Sequence, residues 1–210
     1  MSGRFAGTHA VVTGASSGIG QSIAISLAQA GADEVLVHYR QNRSGAEQTV
    51  AAIRDVGGRA SVIAADLSTA SDIQRLVATA FDRLGTIETW VNNAGADVLT
   101  GSASDLDFDE KLHCLLNVDV RGTIAVARQV AQRMLDQSRQ RPAAMVFIGW
   151  DQAAAGMEGD AGQMFGPVKA AVAAFAASLA QSVAPRIRVN TIAPGWIRTS
   201  WGESTTGYWD

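Results

Sequence analysis

The fold of this chain is decided at Thr13-Gly-Ala-Ser-Ser-Gly-Ile-Gly20, a glycine-rich turn that follows the apolar run Ala10-Val-Val. It opens a segment, Ile19 to Ala30, whose apolar residues recur at helical spacing and stop at Gly31. Glycines at a strand-to-helix junction let the backbone bend sharply and approach a diphosphate, and the free amides at the helix start favour the anion. Tight glycine turns occur everywhere; the placement between strand and helix is what points to a nucleotide.

Working outward, short apolar runs alternate with longer helical segments. The runs are Val35-Leu-Val, Ser61-Val-Ile-Ala, Glu88-Thr-Trp-Val, Met145-Val-Phe-Ile and Ile187-Arg-Val-Asn-Thr-Ile, each followed by Gly, Asn, Asp or Pro. Helices are expected over Ser44–Val56, Ser71–Leu84, Asp109–Gln137 and Gly162–Val183. This alternation predicts an α/β fold: a Rossmann-type, doubly wound parallel sheet of about six strands with helices on both faces. Residues 1–210 read as a single dinucleotide-binding domain. After Pro194-Gly195 come Trp196, Trp201, Tyr208 and Trp209 but no seventh apolar run, so either the sequence is a truncated one or the strand at Ile187–Ile192 forms an unusual edge.

The 210 residues are 47% hydrophobic, enough for a sizeable core, and the formal net charge of -3 is interspersed rather than blocked. No basic footprint for nucleic acid or a membrane surface results. Cys114 has no partner for an internal disulfide, Met1 to Gly7 lacks the apolar stretch of a signal peptide, and no segment approaches ~18 uninterrupted apolar residues. A cytoplasmic location is expected. His9, His38 and His113 are scattered without metal-ligand spacing and are expected at the surface or at strand ends.

The spacing Gly14, Gly18, Gly20 resembles that of the short-chain dehydrogenases/reductases, in particular members similar to 3-oxoacyl-carrier-protein reductases. Other landmarks fall in the same order: Asp66 after the third strand, Asn92-Asn93-Ala94-Gly95 after the fourth, and Arg188-Val-Asn with Pro194-Gly-Trp-Ile-Arg-Thr199 at the sixth. The resemblance implies a nicotinamide cofactor held by Gly14, Ser16, Ser17, Gly18, Ile19 and Gly20 at the turn. Asp66, Leu67, Asn93, Ala94 and Gly95 would follow at the next strand ends, and Pro194, Gly195, Ile197 and Thr199 near the nicotinamide, with 195–210 beginning a substrate lid. At the end of the second strand no acid is present to repel a 2′-phosphate, and Tyr39 and Arg40, with Arg43 close behind, offer a phosphate contact. NADP(H) is expected rather than NAD(H).

The resemblance also assigns catalytic positions, and here the chain departs from the family pattern. Lys169 stands at the family's Lys, which holds the nicotinamide ribose, but the Tyr four residues earlier is Phe165. A phenyl ring has no hydroxyl to protonate an alkoxide. The family's Ser falls on Trp150 by strand-end matching or on Gln152 by counting back from Phe165, and neither carries a hydroxyl. The family's Asn corresponds to Asp119, which would support a water chain, and Asp151 would serve as a replacement acid in a poorly solvated pocket.

Two functions follow from the resemblance. One is an NADP(H)-dependent oxidoreductase for a small carbonyl or alcohol; the other is a catalytically silent nucleotide-binding protein or partner subunit. The long helix around Asp109–Gln137 and the Ala/Gly-rich Gly162–Ser182 resemble the family's bundle helices, implying a homodimer or homotetramer.

Overall fold

The computed structural model describes residues 3–138, 141–197 and 199. The apolar runs become β1 (His9–Val12), β2 (Glu34–Tyr39), β3 (Ala60–Ala64), β4 (Thr89–Asn92), β5 (Ala143–Ile148) and β6 (Ile187–Ile192). All pair in parallel, in the order β3-β2-β1-β4-β5-β6. Strand order reverses between β1 and β4, where loops diverge to open a crevice at the strands' carboxyl ends.

The period-two alternation of strands divides the core. Val11, Leu36, Trp90, Met145 and Phe147 face α3 (Ala70–Leu84), α5 (Thr123–Asp136) and α7 (Gly159–Val183). Ala10, Val12, Val35, Val37 and Val91 face α1 (Gly18–Gln29) and α2 (Arg43–Asp55). Met145 and Phe147 are wholly removed from solvent, each contributing on the order of 1.5–3 kcal/mol. On α1 the buried positions are Gly20, Ala24 and Ala28, small side chains that bring the helix start close to the sheet.

One helix expectation is corrected. The stretch expected as a single helix over Asp109–Gln137 consists of α4 (Phe108–Leu115), a π-helical segment Leu116–Gly122, and α5. Its start is fixed by a capping box: Asp107 accepts from the Glu110 amide at 2.9 Å, and Glu110 accepts from the Asp107 amide at 3.0 Å. A π turn inserts a residue without interrupting the apolar face, so periodicity does not reveal it. The short α6 (Gln152–Ala155) and a 3₁₀ turn at Gly101–Asp105 were also unexpected, being too brief for a periodic signal.

β6 ends the sheet, and among the described residues no strand pairs with its outer side. Ile192 is accordingly 54% exposed. By length and composition α7 is apolar enough to cross a bilayer. It packs instead on β5, β6, α5 and the π-helical segment.

Candidate active site

The glycine turn works because two of its residues adopt left-handed backbone, Gly14 at φ 63° and Gly18 at φ 55°. A side chain at Gly14 would place its Cβ 2.7 Å from the Ala94 Cα, and one at Gly20 would collide with the Asn93 amide and the Gly14 carbonyl. The turn therefore lies directly on the loop after β4. Thr13 joins them: its hydroxyl donates to the Val91 carbonyl at 3.2 Å and accepts from the Asn93 and Ala94 amides at 2.9 and 3.0 Å. Asn93 returns the support through Nδ2, which donates to the Thr13 and Gly14 carbonyls at 2.9 and 3.1 Å.

His38 braces the turn from the other side. The Gly14 amide donates to its Nδ1 at 3.1 Å, so the ring proton sits on Nε2, which donates to the Ala65 carbonyl at 3.0 Å. The residue is at a strand end as expected, but it is 2% exposed rather than a surface group. Nothing in its spacing marked this role; its place one residue before the end of β2, beside the turn, was the available signal.

Burial pushes the His38 imidazole down from 6.5 to about 4, against the smaller raising effects of the Ala65 bond and nearby Asp66 and Asp72. An unfolded chain takes this proton near pH 6.5, whereas the folded one resists until about 4, so acid favours unfolding between those values. The loss should reach roughly 3 kcal/mol at pH 4. Urea unfolding at pH 7, 5.5 and 4 should show a steeper decline for the native protein than for His38→Gln, which does not titrate; parallel declines would refute the assignment.

Between the turn and the neighbouring strand ends lies a cleft of about 470 Å³. Gly14, Ser16, Ser17, Gly18, Ile19 and Gly20 form its wall at the start of α1, where helix geometry leaves the first amides without intrahelical carbonyls. His38, Arg40, Gln41 and Asn42 line it at β2, Ala65 and Leu67 at β3, Asn93, Ala94 and Gly95 at β4, and Thr199 closes over Gly18.

Several expected contacts are placed elsewhere. Tyr39 is buried in the core among α1 and α2, since the alternation of β2 turns it away from the crevice. Asp66 lies outside the lining because its carboxylate accepts from the Ser68 amide at 2.8 Å and the Ser68 hydroxyl at 2.7 Å. Arg43 pairs with Glu47 at 2.8 Å on the exposed face of α2, leaving Arg40 as the guanidinium at the rim. Pro194, Gly195 and Ile197 follow β6 but do not reach the cleft lining. Trp201, Tyr208 and Trp209 lie outside the described residues.

A second cavity of about 160 Å³ adjoins these loops, walled by Leu99, Gly149, Trp150, Met157, Phe165 and Trp196, with Ala161 and Lys169 completing it. Trp150, not Gln152, therefore shares a cavity with Phe165; Gln152 begins α6. Lys169 Nζ donates to Asp119 Oδ2 at 2.9 Å, and Asp119 Oδ1 accepts from the Ala96 amide at 2.7 Å. The π-helical segment turns the Asp119 carboxylate inward to 2% exposure. A Cβ at Gly95 would lie 2.7 Å from Oδ2, so only glycine leaves room for it. Asp151 is exposed, beside Gly195, and does not occupy the poorly solvated pocket expected for a replacement acid.

Fold and cleft together define a Rossmann-type protein. A profile of the family described as short chain dehydrogenase matches residues 8–207. The chain belongs to that family of oxidoreductases. A 3-oxoacyl-[acyl-carrier-protein] reductase of Synechocystis sp. is 33% identical over 198 residues, 93% of this chain and 76% of the relative. Among solved structures, a short chain dehydrogenase from Burkholderia cenocepacia in complex with NADP superposes with a TM-score of 0.80 at 33% identity, covering 94% of this chain and 77% of that one. The 3-oxoacyl-[acyl-carrier protein] reductase of Brucella melitensis, in complex with NAD, gives 0.81 at 29% identity, covering 93% and 76%.

Proposed function

We propose that this chain is an NADP(H)-dependent oxidoreductase acting on a small carbonyl or alcohol. The carrying observation is the glycine cradle at the start of α1, where Gly14 and Gly20 let the turn lie directly on the loop after β4 so that the first amides of the helix line the cleft. When bound, the nicotinamide supplies or accepts a hydride. The turn's amides would hold the diphosphate, Leu67, Asn93 and Ala94 would take the adenosine half, Thr199 closes over the turn, and Lys169 would bind the ribose on the nicotinamide side. The Asp119 carboxylate holds the Lys169 ammonium in place, and water delivers the proton that Phe165 cannot.

The guanidinium at the cleft rim supports NADP(H) over NAD(H). Arg40 lines the cleft at the end of β2 with no carboxylate beside it on that lining strand end. A guanidinium grips a phosphate through two parallel N–H bonds, and such charged hydrogen bonds contribute about 1.5–3 kcal/mol. Titration should give NADPH at least about tenfold tighter than NADH, and Arg40→Ala should abolish that difference by weakening NADPH alone. Tighter NADH binding would overturn the preference.

Self-association through α7 accompanies this reading. Ala170, Ala174 and Ala177 are exposed on one helix face, and Leu116 beside α5 is 45% exposed. Gel filtration should show a dimer or tetramer of the 21.9 kDa chain at micromolar concentration; a monomer throughout would reject it.

A further inference from the structure

The second cavity has an unusual chemistry for a site beside a hydride donor. Its wall is made by Trp150, Phe165, Trp196, Met157 and Leu99, and Lys169 is the one charged side chain on it among the described residues. Among the described residues no hydroxyl is present on that wall. We infer that the cavity takes a flat, one-ring quinone, its ring against the aromatic wall and one oxygen at Lys169 Nζ. The site's position beside the nucleotide rests on the proposed function; its ligand preference does not.

Size comes first. At about 160 Å³ the cavity matches the roughly 150 Å³ apolar cavities known to admit a benzene ring. Aromatic side chains reward flat ligands by offset or edge contacts, beyond simple area burial.

The missing hydroxyls then discriminate among hydride acceptors, because the one acid on the described wall, the Lys169 ammonium, cannot give up its proton without leaving the buried Asp119 carboxylate uncompensated. A simple ketone becomes an alkoxide, about as basic as hydroxide, and needs a proton donor in place as it forms. A quinone becomes a hydroquinone monoanion, a phenolate whose acid resembles tyrosine's at about 10. That anion is less basic than the alkoxide by several powers of ten. It persists until water protonates it.

Charge separates the quinone from the other acceptor that needs no proton, an iminium ion. The group facing the cavity is the Lys169 ammonium, whereas its counter-charge, Asp119, is 2% exposed and absent from the lining. An ammonium repels an iminium cation and attracts a developing phenolate. One of its three N–H groups is committed to Asp119 at 2.9 Å, leaving donors for the ligand oxygen. In the balanced reaction the reduced nicotinamide gives one hydride with its electron pair to form one O–H bond, the second oxygen carries the charge, and a water-derived proton completes the hydroquinone.

The test begins without nucleotide, on a Cys114→Ser background so that quinones find no protein thiol. Calorimetric titration should give hydroquinone at least about tenfold tighter than cyclohexanol, and Ala161→Phe, which fills the cavity, should abolish its binding. Lys169→Gln should weaken it about tenfold. Equal binding of cyclohexanol, or hydroquinone binding untouched by Ala161→Phe, overturns the inference. With NADPH, 1,4-benzoquinone should be reduced at least about a hundredfold faster than cyclohexanone or a cyclic iminium, after subtraction of the uncatalysed rate; either competitor matching it also overturns the inference. Failure of NADPH to bind would defeat the proposed function while leaving the hydroquinone titration readable.

Discussion

Phe165→Tyr combined with Trp150→Ser is expected to raise NADPH-dependent reduction of simple ketones by about a hundredfold to ten-thousandfold, the usual contribution of a placed general acid. Both side chains wall the same cavity as Lys169, which follows position 165 by one helical turn. The new phenol would stand where an alkoxide forms, and the serine hydroxyl would hold the carbonyl oxygen before transfer. Phe165→Tyr alone should give a smaller part of the gain. Phe165→Tyr alone should leave quinone reduction little changed, because the product anion needs no such donor and the ring wall is kept, whereas Trp150→Ser, which removes part of that wall, should lower it. Steady-state rates on cyclohexanone with NADPH affinity measured in parallel decide the matter: unchanged ketone rates with intact nucleotide binding would show that the lost hydroxyls do not limit this chain.

The second large effect is expected at the turn. Gly14→Ala should weaken NADPH binding by at least about a hundredfold and lower thermal stability. Left-handed backbone costs an L side chain roughly 1–2 kcal/mol, and here the added Cβ also meets the Ala94 backbone 2.7 Å away. The turn and the loop after β4 would have to separate, breaking the bonds through Thr13 and Asn93 that hold the cradle. Gly57→Ala separates the two causes. Its φ is 83° with open space around it, so it should lose stability by about the backbone cost alone and leave the nucleotide Kd unchanged. If both variants bind NADPH like the parent, the cradle is not the nucleotide site.

The sheet was legible because buried parallel strands are written as apolar runs with glycine or proline punctuation; β6 was read to the residue, and the others within one or two. The helical faces were legible for the same reason. Hydrogen-bond geometry was not: the π turn keeps the apolar stripe of Asp109–Gln137 intact while rotating Asp119 inward. Of the candidate site, the turn and the residues after β4 fall on the cleft where glycine spacing put them. Tyr39 and Asp66 do not, because strand alternation buries one and a local turn occupies the other. His38 was missed because its job is to accept one amide and donate to one carbonyl, an arrangement with no sequence pattern.

Asp119 and Lys169 cancel each other's charge where water hardly enters, and this couples the two positions energetically. Exchanging either one alone strands an unmatched ion inside the protein, at a cost of about 3–5 kcal/mol out of a total stability of some 5–15. The two positions should therefore behave as a unit in a double-mutant cycle, the paired replacement costing far less than the sum of the single ones.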